Sequence, residues 1–410
     1  MATDANTRRR RITETVEGAG VTPLELFFDL VFVYAFTQVT ALMAAELNWH
    51  GVIRGGLVLA LLWWCWCCFA WLGNTVRADE GEVRVVLFAV MATMFVIALT
   101  IPEAFEDLPG GLYAPVVFVA CYVVVRVLHL SVYWRAAHHD PALRRQVLKA
   151  SLPMLGGAAL LLAAAGVHHR PYLQTALWAA AIAVDYTGIY LTGARGWRIN
   201  SAAHWAERHG LIIIIALGES VVSIGIGVAA LPISWPIIVA SVLGIAVAAA
   251  LWWAYFDVVA IAAERVLRQA TGVRRAALAR DSYTYLHLPM VGGIILLSLG
   301  LKKVLAYVGG AGHHDLTDPL TGVPLYALYG GVVLYLLGHL GFRLRNMGTV
   351  NRPRWVTMVL LLALIPMAAH VPALAALAIL AAVCCALVVF EMIRYADARH
   401  TLRAAAHESG

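Results

Sequence analysis

The sequence predicts an all-α polytopic integral membrane protein of about twelve transmembrane helices, with both ends of the chain on the cytoplasmic side. Three observations carry this. Of the 410 residues, 61% are hydrophobic and only 13% charged, at a mean hydropathy of +0.78, whereas a soluble domain carries about 25% charged residues. The apolar residues fall into runs long enough to span a ~30 Å hydrocarbon core at ~1.5 Å per helical residue. The basic residues sit in short clusters in alternate gaps between those runs, a topogenic pattern rather than one for nucleic acid.

In chain order the runs are 23–45, 52–73, 84–103, 113–135, 150–167, 172–192, 206–229, 234–263, 281–308, 323–343, 354–370 and 372–393. Arg8 to Arg11 precede the first, but Glu25 and Asp29 interrupt it and no small-residue cleavage site follows. No cleavable signal peptide is therefore expected. The eighth run is long enough to tilt or to continue into the cytoplasm. Only His370-Val371-Pro372 separates the last two, which demands a tight hairpin. With the N-terminal end inside, the inner segments and their flanks hold 25 of the 30 basic residues. The outer ones hold Arg54, Arg170, Lys302 and Lys303, and Arg126 lies within the fourth run. The loop carrying Glu103, Glu106 and Asp107, with no base, falls outside. One miscounted run would put every later loop on the wrong side.

Weak internal correspondences divide the chain six and six. Leu62-Trp63-Trp64 matches Leu251-Trp252-Trp253, and His129-Leu130-Ser131 matches His339-Leu340-Gly341. The first and seventh runs each open with a glutamate, Glu25 and Glu207, and carry a polar residue near mid-depth, Gln38 and Glu219. Six being even, the halves are expected to be parallel repeats. The organisation expected is an N-terminal tail (1–22), a first six-helix half (23–192), a cytoplasmic linker (193–205), a second half (206–393) and a C-terminal tail (394–410).

Ionisable groups inside a span are costly and mark function by default. Glu25 and Asp29, four apart, share a helix face with Phe32 and Phe36 near the cytoplasmic end. Arg126, His129, Asp185, Asp257, His287 and His339 form a layer at similar depth, and Glu219 lies near mid-membrane. Arg126 has Asp185 or Asp29 as candidate counter-charges. As structure, these groups would pair and fix the bundle. As function, a polar inner layer with Glu219 above it describes a water-accessible path to a carboxylate, the arrangement proton- or cation-linked transport needs. Gly218, Ser220, Ser223, Gly225 and Gly227 beside Glu219 serve either close helix packing or room for an ion.

Other chemistries find little support. The six cysteines all lie in apolar runs without zinc-ligand spacing. There is no phosphate-binding loop, and Gly225-Ile226-Gly227 follows no strand. His204 and His209, five apart, do not make a zinc-binding helix face, although His204 and Glu207 could offer one pair to a metal. The pairs His138-His139, His168-His169 and His313-His314 read as solvated loop residues.

Two segments resemble a known family. Pro23-Leu24-Glu25-Leu26-Phe27-Phe28-Asp29-Leu30-Val31-Phe32-Val33 is similar to the opening signature of the bacterial low temperature requirement A proteins. His204-Trp205-Ala206-Glu207-Arg208-His209-Gly210-Leu211, followed by Ile215-Ala216-Leu217-Gly218-Glu219-Ser220, is similar to their second hallmark. His209 stands where an aromatic residue is common. The resemblance covers nearly the whole chain and implies a plasma-membrane protein linked by name to growth in the cold. It makes Glu25, Asp29, Glu207, Arg208 and Glu219 signature positions and implies no substrate. Phe28-Asp29 also resembles the F-S-D motif of endolysosomal and prokaryotic potassium channels, but His209-Gly210-Leu211 at the corresponding place in the second half lacks it.

The expectation is a transporter or channel of the bacterial inner membrane for a small ion or solute, proton- or cation-coupled. Its partner is the lipid bilayer, with no cofactor and no nucleic acid. Glu219 would be its centre, with Asp29, Glu25, Gln38, Arg126, His129, Asp185, Glu207, Arg208 and His339 along the pathway. The alternatives are a membrane-embedded lipid-modifying enzyme, using His204, Glu207 and His209, and a non-catalytic scaffold or sensor.

Overall fold

A computed structural model of the chain describes residues 13–229, 231–310 and 314–396. The Arg8–Arg11 cluster, His313 and most of the C-terminal tail lie outside these residues. Each of the twelve apolar runs contains a helix. The helices are α1 (Pro23–Ala45), α2 (Trp49–Thr75), α3 (Gly81–Thr100), α4 (Ala114–Ala136), α5 (Pro141–Gly166), α6 (Pro171–Thr192) and α7 (Ala202–Val228). They continue as α8 (Trp235–Phe256), α9 (Val259–Gln269), α10 (Gly272–Leu278), α11 (His287–Val308), α12 (Val323–Met347), α13 (Arg352–Ala368) and α14 (Ala373–Arg394). Among the described residues the only β-type pairing is two isolated bridges, Glu14 with Val76 and Pro319 with Pro372.

Local chemistry sets the ends. Proline occupies the first turn of α4, α5, α6, α8, α12 and α13, where its missing N–H costs nothing. The Asp140 carboxylate caps α5 by accepting from the N–H groups of Ala142 and Leu143, and Asn351 caps α13 through Arg354 N–H. Gly348, at φ +65°, ends α12 in the left-handed conformation glycine favours.

Among the described residues, ten helical segments are long and apolar enough to cross a membrane, and α6 and α13 are not among them. The reasons are visible in the residues. Helix α13 has 17 residues, ~25 Å of rise. Helix α6 interrupts its apolar run with Gln174, Thr175, Asp185 and Thr187. The expected long eighth span resolves into α8 and the amphipathic α9, which buries Val259, Ala263 and Leu267 at i, i+4 and i+8. Residues 279–285, partly assigned to the ninth run, form a π-helical segment before α11. Helix α3 illustrates the solvent that such helices need. It buries Val83, Leu87, Val90, Met94 and Ile97 while exposing Val85, Phe88, Phe95 and Leu99. A helix apolar on its exposed face as well is stable against lipid, not water.

The chain divides into two compact units, with the division inside α7. One comprises Met1–Leu42, Ile53–Arg208 and Ala270–Arg280, the other Met43–Val52, His209–Gln269 and Asp281–Gly410. In the first unit α5 packs on α6 through glycines: a side chain at Gly188 would run into Pro153, and one at Gly157 would lie 3.2 Å from the Ala181 carbonyl. In the second unit α11 and α12 approach just as closely. A Cβ at Gly293 would sit 2.5 Å from the Gly331 carbonyl oxygen. Small residues that let backbones meet are the usual device where helix association has no water to escape from.

Candidate functional site

The first unit holds a buried charge cluster where α1, α2 and the start of α7 meet. Thr22 and Glu25 form a capping box at the head of α1. The Thr22 N–H and hydroxyl donate to Glu25 Oε2 at 2.9 and 3.0 Å, and the Glu25 N–H returns to the Thr22 hydroxyl at 3.3 Å. The box fixes the carboxylate, whose oxygens also face His204 Nε2 at 2.9 and 3.1 Å. One turn deeper on the same face of α1, Asp29 Oδ1 accepts from Arg208 Nη2 and from Trp66 Nε1, both at 2.9 Å. The Arg208 guanidinium lies 5.4 Å from the Trp66 ring and 6.0 Å from that of Phe28, within cation–π range, and its Nη1 is 3.8 Å from Glu25. Glu25, Asp29, His204 and Arg208 are all at most 4% exposed.

Asn74 determines which nitrogen of His204 carries the proton. Its Oδ1 accepts from the N–H groups of Asn200 and Ser201, so its Nδ2 is the donor, to the Ser201 carbonyl at 2.7 Å. That same amide nitrogen faces His204 Nδ1 at 3.2 Å. Nδ1 therefore accepts, and Nε2 carries the hydrogen toward Glu25. The cluster then holds two carboxylates against one guanidinium. Asp29 Oδ2 and the Nε and Nη1 of Arg208 have no hydrogen-bond partner, a cost of ~1–3 kcal/mol per buried group. Helix α2 comes this close because residue 73 is glycine; a Cβ there would clash with Glu25 Oε1.

A cavity of about 410 Å³ adjoins the cluster, lined in part by Thr15, Glu17, Thr22, Glu25, Arg77 and His204. Residues preceding α1 form its rim and are tied down at several points. Glu17 accepts from Ala202 N–H and from Arg275, Val21 N–H donates to Glu207 at 2.9 Å, and the Ser201 hydroxyl donates to the Ala19 carbonyl. Glu207 is exposed and holds this segment, while its neighbour Arg208 points into the cluster. Behind Glu25 a smaller cavity of about 10 Å³ reaches Arg208, Phe28 and Phe69, about the space of one water.

The other expected site residues lie elsewhere. In the first unit Arg126 on α4 pairs with Asp185 on α6 at 3.2 Å, and Tyr122 donates to the same carboxylate at 2.8 Å. Arg126 also donates to the Cys68 sulfur. His129 packs edge-on against Phe69 and Tyr133. Gln38 is half-buried on α1, beyond the cluster. In the second unit Glu219 is fully buried and accepts from Ser223 at 2.7 Å, with Ser220 and Ser298 bonded beside it. His339 meets Arg354, which forms a two-point pair with Glu391. His287 bonds Tyr255 at 2.8 Å and stacks on Tyr283, against which His209 also packs.

Sequence reading missed Trp66, Asn74, Tyr122, Arg354 and Glu391. Only the Thr22-x-x-Glu25 capping box carried a readable signal. Among the described residues, no group of three or more His, Cys, Asp or Glu side chains is placed to hold a metal. His204 turns to Glu25 and Glu207 to Val21, so the two do not converge on one ion.

Among the described residues, an all-helical chain with ten helices long and apolar enough to cross a membrane, and with ionisable groups buried within them, defines a multi-pass membrane protein. Residues 20–389 match the bacterial low temperature requirement A protein family. The chain belongs to that family. It is similar to an uncharacterized protein of Rhizobium meliloti (strain 1021), 29% identical over 329 residues, 77% of this chain and 75% of that protein. No solved structure matches it.

Proposed function

We propose that the protein is a proton-coupled transporter of a small solute in the bacterial inner membrane. It crosses the bilayer twelve times, with both ends of the chain cytoplasmic. The proton site is the Glu25–His204–Asp29–Arg208 cluster at the cytoplasmic end of α1. One observation carries this reading: two buried carboxylates share one guanidinium, while Asn74 holds His204 as a neutral donor. The uncompensated charge makes a place for one proton, and the unpartnered Asp29 Oδ2 is the atom open to it. Arg77 and Glu17 on the cavity wall do not cancel that charge, since each has its own partner, Asp79 and Arg275.

A proton arriving through the cavity meets Glu25 and His204 first and Asp29 about 6 Å deeper, one helical turn along α1. This moves the centre of the mechanism from Glu219, which its serine neighbour satisfies at one oxygen, to the first unit. Twelve crossings rest on the charge asymmetry of the loops, with α6 and α13 crossing because their neighbours do.

The test is solute-driven proton movement in proteoliposomes carrying a pH dye, across a panel of amino acids, carboxylates and monovalent cations. Wild type moves protons with at least one of them. Asp29→Asn loses the proton movement while the purified variant keeps its elution profile and melting temperature. Solute flux without proton movement, or proton movement unchanged in Asp29→Asn, contradicts the proposal.

A further inference from the structure

In the second unit α13 and α14 form an antiparallel hairpin whose outer face is not filled. A groove of about 640 Å³ runs between them, its walls including Val356 and Leu360 on α13 and Ala382, Ala386 and Phe390 on α14. Its lining is apolar apart from Thr357 and, at one end, Arg352 in the first turn of α13. Helical spacing continues the wall Ala382-Ala386-Phe390 to Arg394, in the last turn of α14 at the same end of the hairpin. Both arginines are exposed, and neither has an ion-pair partner among the described residues. Arg354, two residues on, is turned inward and spent on Glu391. The groove thus has a cationic mouth and a largely apolar floor. From Arg394 to Ala382 it runs ~18 Å along the helix, close to the depth of one leaflet of a ~30 Å core.

We infer that this groove binds an anionic phospholipid of the cytoplasmic leaflet, with one acyl chain between α13 and α14 and the phosphate against Arg352 and Arg394. A zwitterionic lipid offers the same chain but less net charge to the mouth, so the arginines set the preference. The leaflet, though not the groove, rests on the topology proposed above. The site is independent of the proton cluster.

Native mass spectrometry of the full chain, released from micelles containing equal phosphatidylglycerol and phosphatidylethanolamine, tests it. Wild type retains phosphatidylglycerol preferentially. Arg352→Gln with Arg394→Gln lowers that preference by roughly 30-fold, and Ala386→Phe, which fills the groove from its exposed face, loses the retained lipid with the arginines intact. Unchanged melting temperature shows that neither change unfolds the protein. A phosphatidylglycerol preference undiminished in either variant overturns the inference. Arg352→Cys labelled by an impermeant maleimide only in inverted vesicles supports the leaflet; labelling from outside the cell overturns it and faults the topology, with the lipid measurement unaffected.

Discussion

Arg208 is the residue that makes the charge in the first unit tolerable. It offers Asp29 one hydrogen bond and Glu25 an ion pair, with Trp66 and Phe28 on its flanks. Removing one partner of such a buried arrangement leaves an uncompensated charge, at ~3–5 kcal/mol. Arg208→Leu is therefore expected to lower stability by about that much in denaturant unfolding from micelles. Arg208→Leu with Asp29→Asn recovers part of it, because the second change removes a charge the first stranded. Equal loss in single and double variants would contradict the pairing. The sequence made Arg208 conspicuous but not its partner. It left Arg126 a choice between Asp185 and Asp29, and the structure gives it Asp185 while Asp29 goes to Arg208. Which carboxylate meets which base depends on which helices adjoin, and local spacing holds no record of that.

At the scale of the element, the apolar runs were easy to read because lipid requires an unbroken apolar surface about twenty residues long. The ends were harder: α7 begins at Ala202, inside the segment read as a linker. The break after Phe256 hides in a run that stays hydrophobic on one face. Close pairing of helices was legible only as glycine in the right composition. Gly188→Ala and Gly293→Ala each force a methyl group into a neighbouring helix, and each is expected to cost about 1–3 kcal/mol by overpacking. Ala substitution at Gly330, which has nothing within 4 Å of its would-be Cβ, serves as the control in the same unfolding measurement. A Gly330→Ala loss as large as theirs would argue against the packing explanation.

For the whole molecule, the charge pattern of the loops is the basis of the proposed orientation, which the fold alone does not give. Arg198→Cys is expected to react with an impermeant maleimide only in inverted vesicles, and Leu108→Cys and Leu316→Cys only in intact cells. Any of the three reacting from the other side would remove α6 from the membrane or shift the count elsewhere in the chain before residue 316. The proposed orientation would put the cavity beside Glu25 and His204 on the cytoplasmic side, where a proton delivered inward would be released.

The central claim is that the cluster around Asp29 holds one exchangeable proton in the bilayer, and infrared difference spectroscopy of the purified protein in lipid reads it most directly. The expected result is a protonated-carboxyl band that disappears reversibly as the pH is raised and is missing from Asp29→Asn. A wild-type protein with no such band, or a band that survives in Asp29→Asn, would contradict the account.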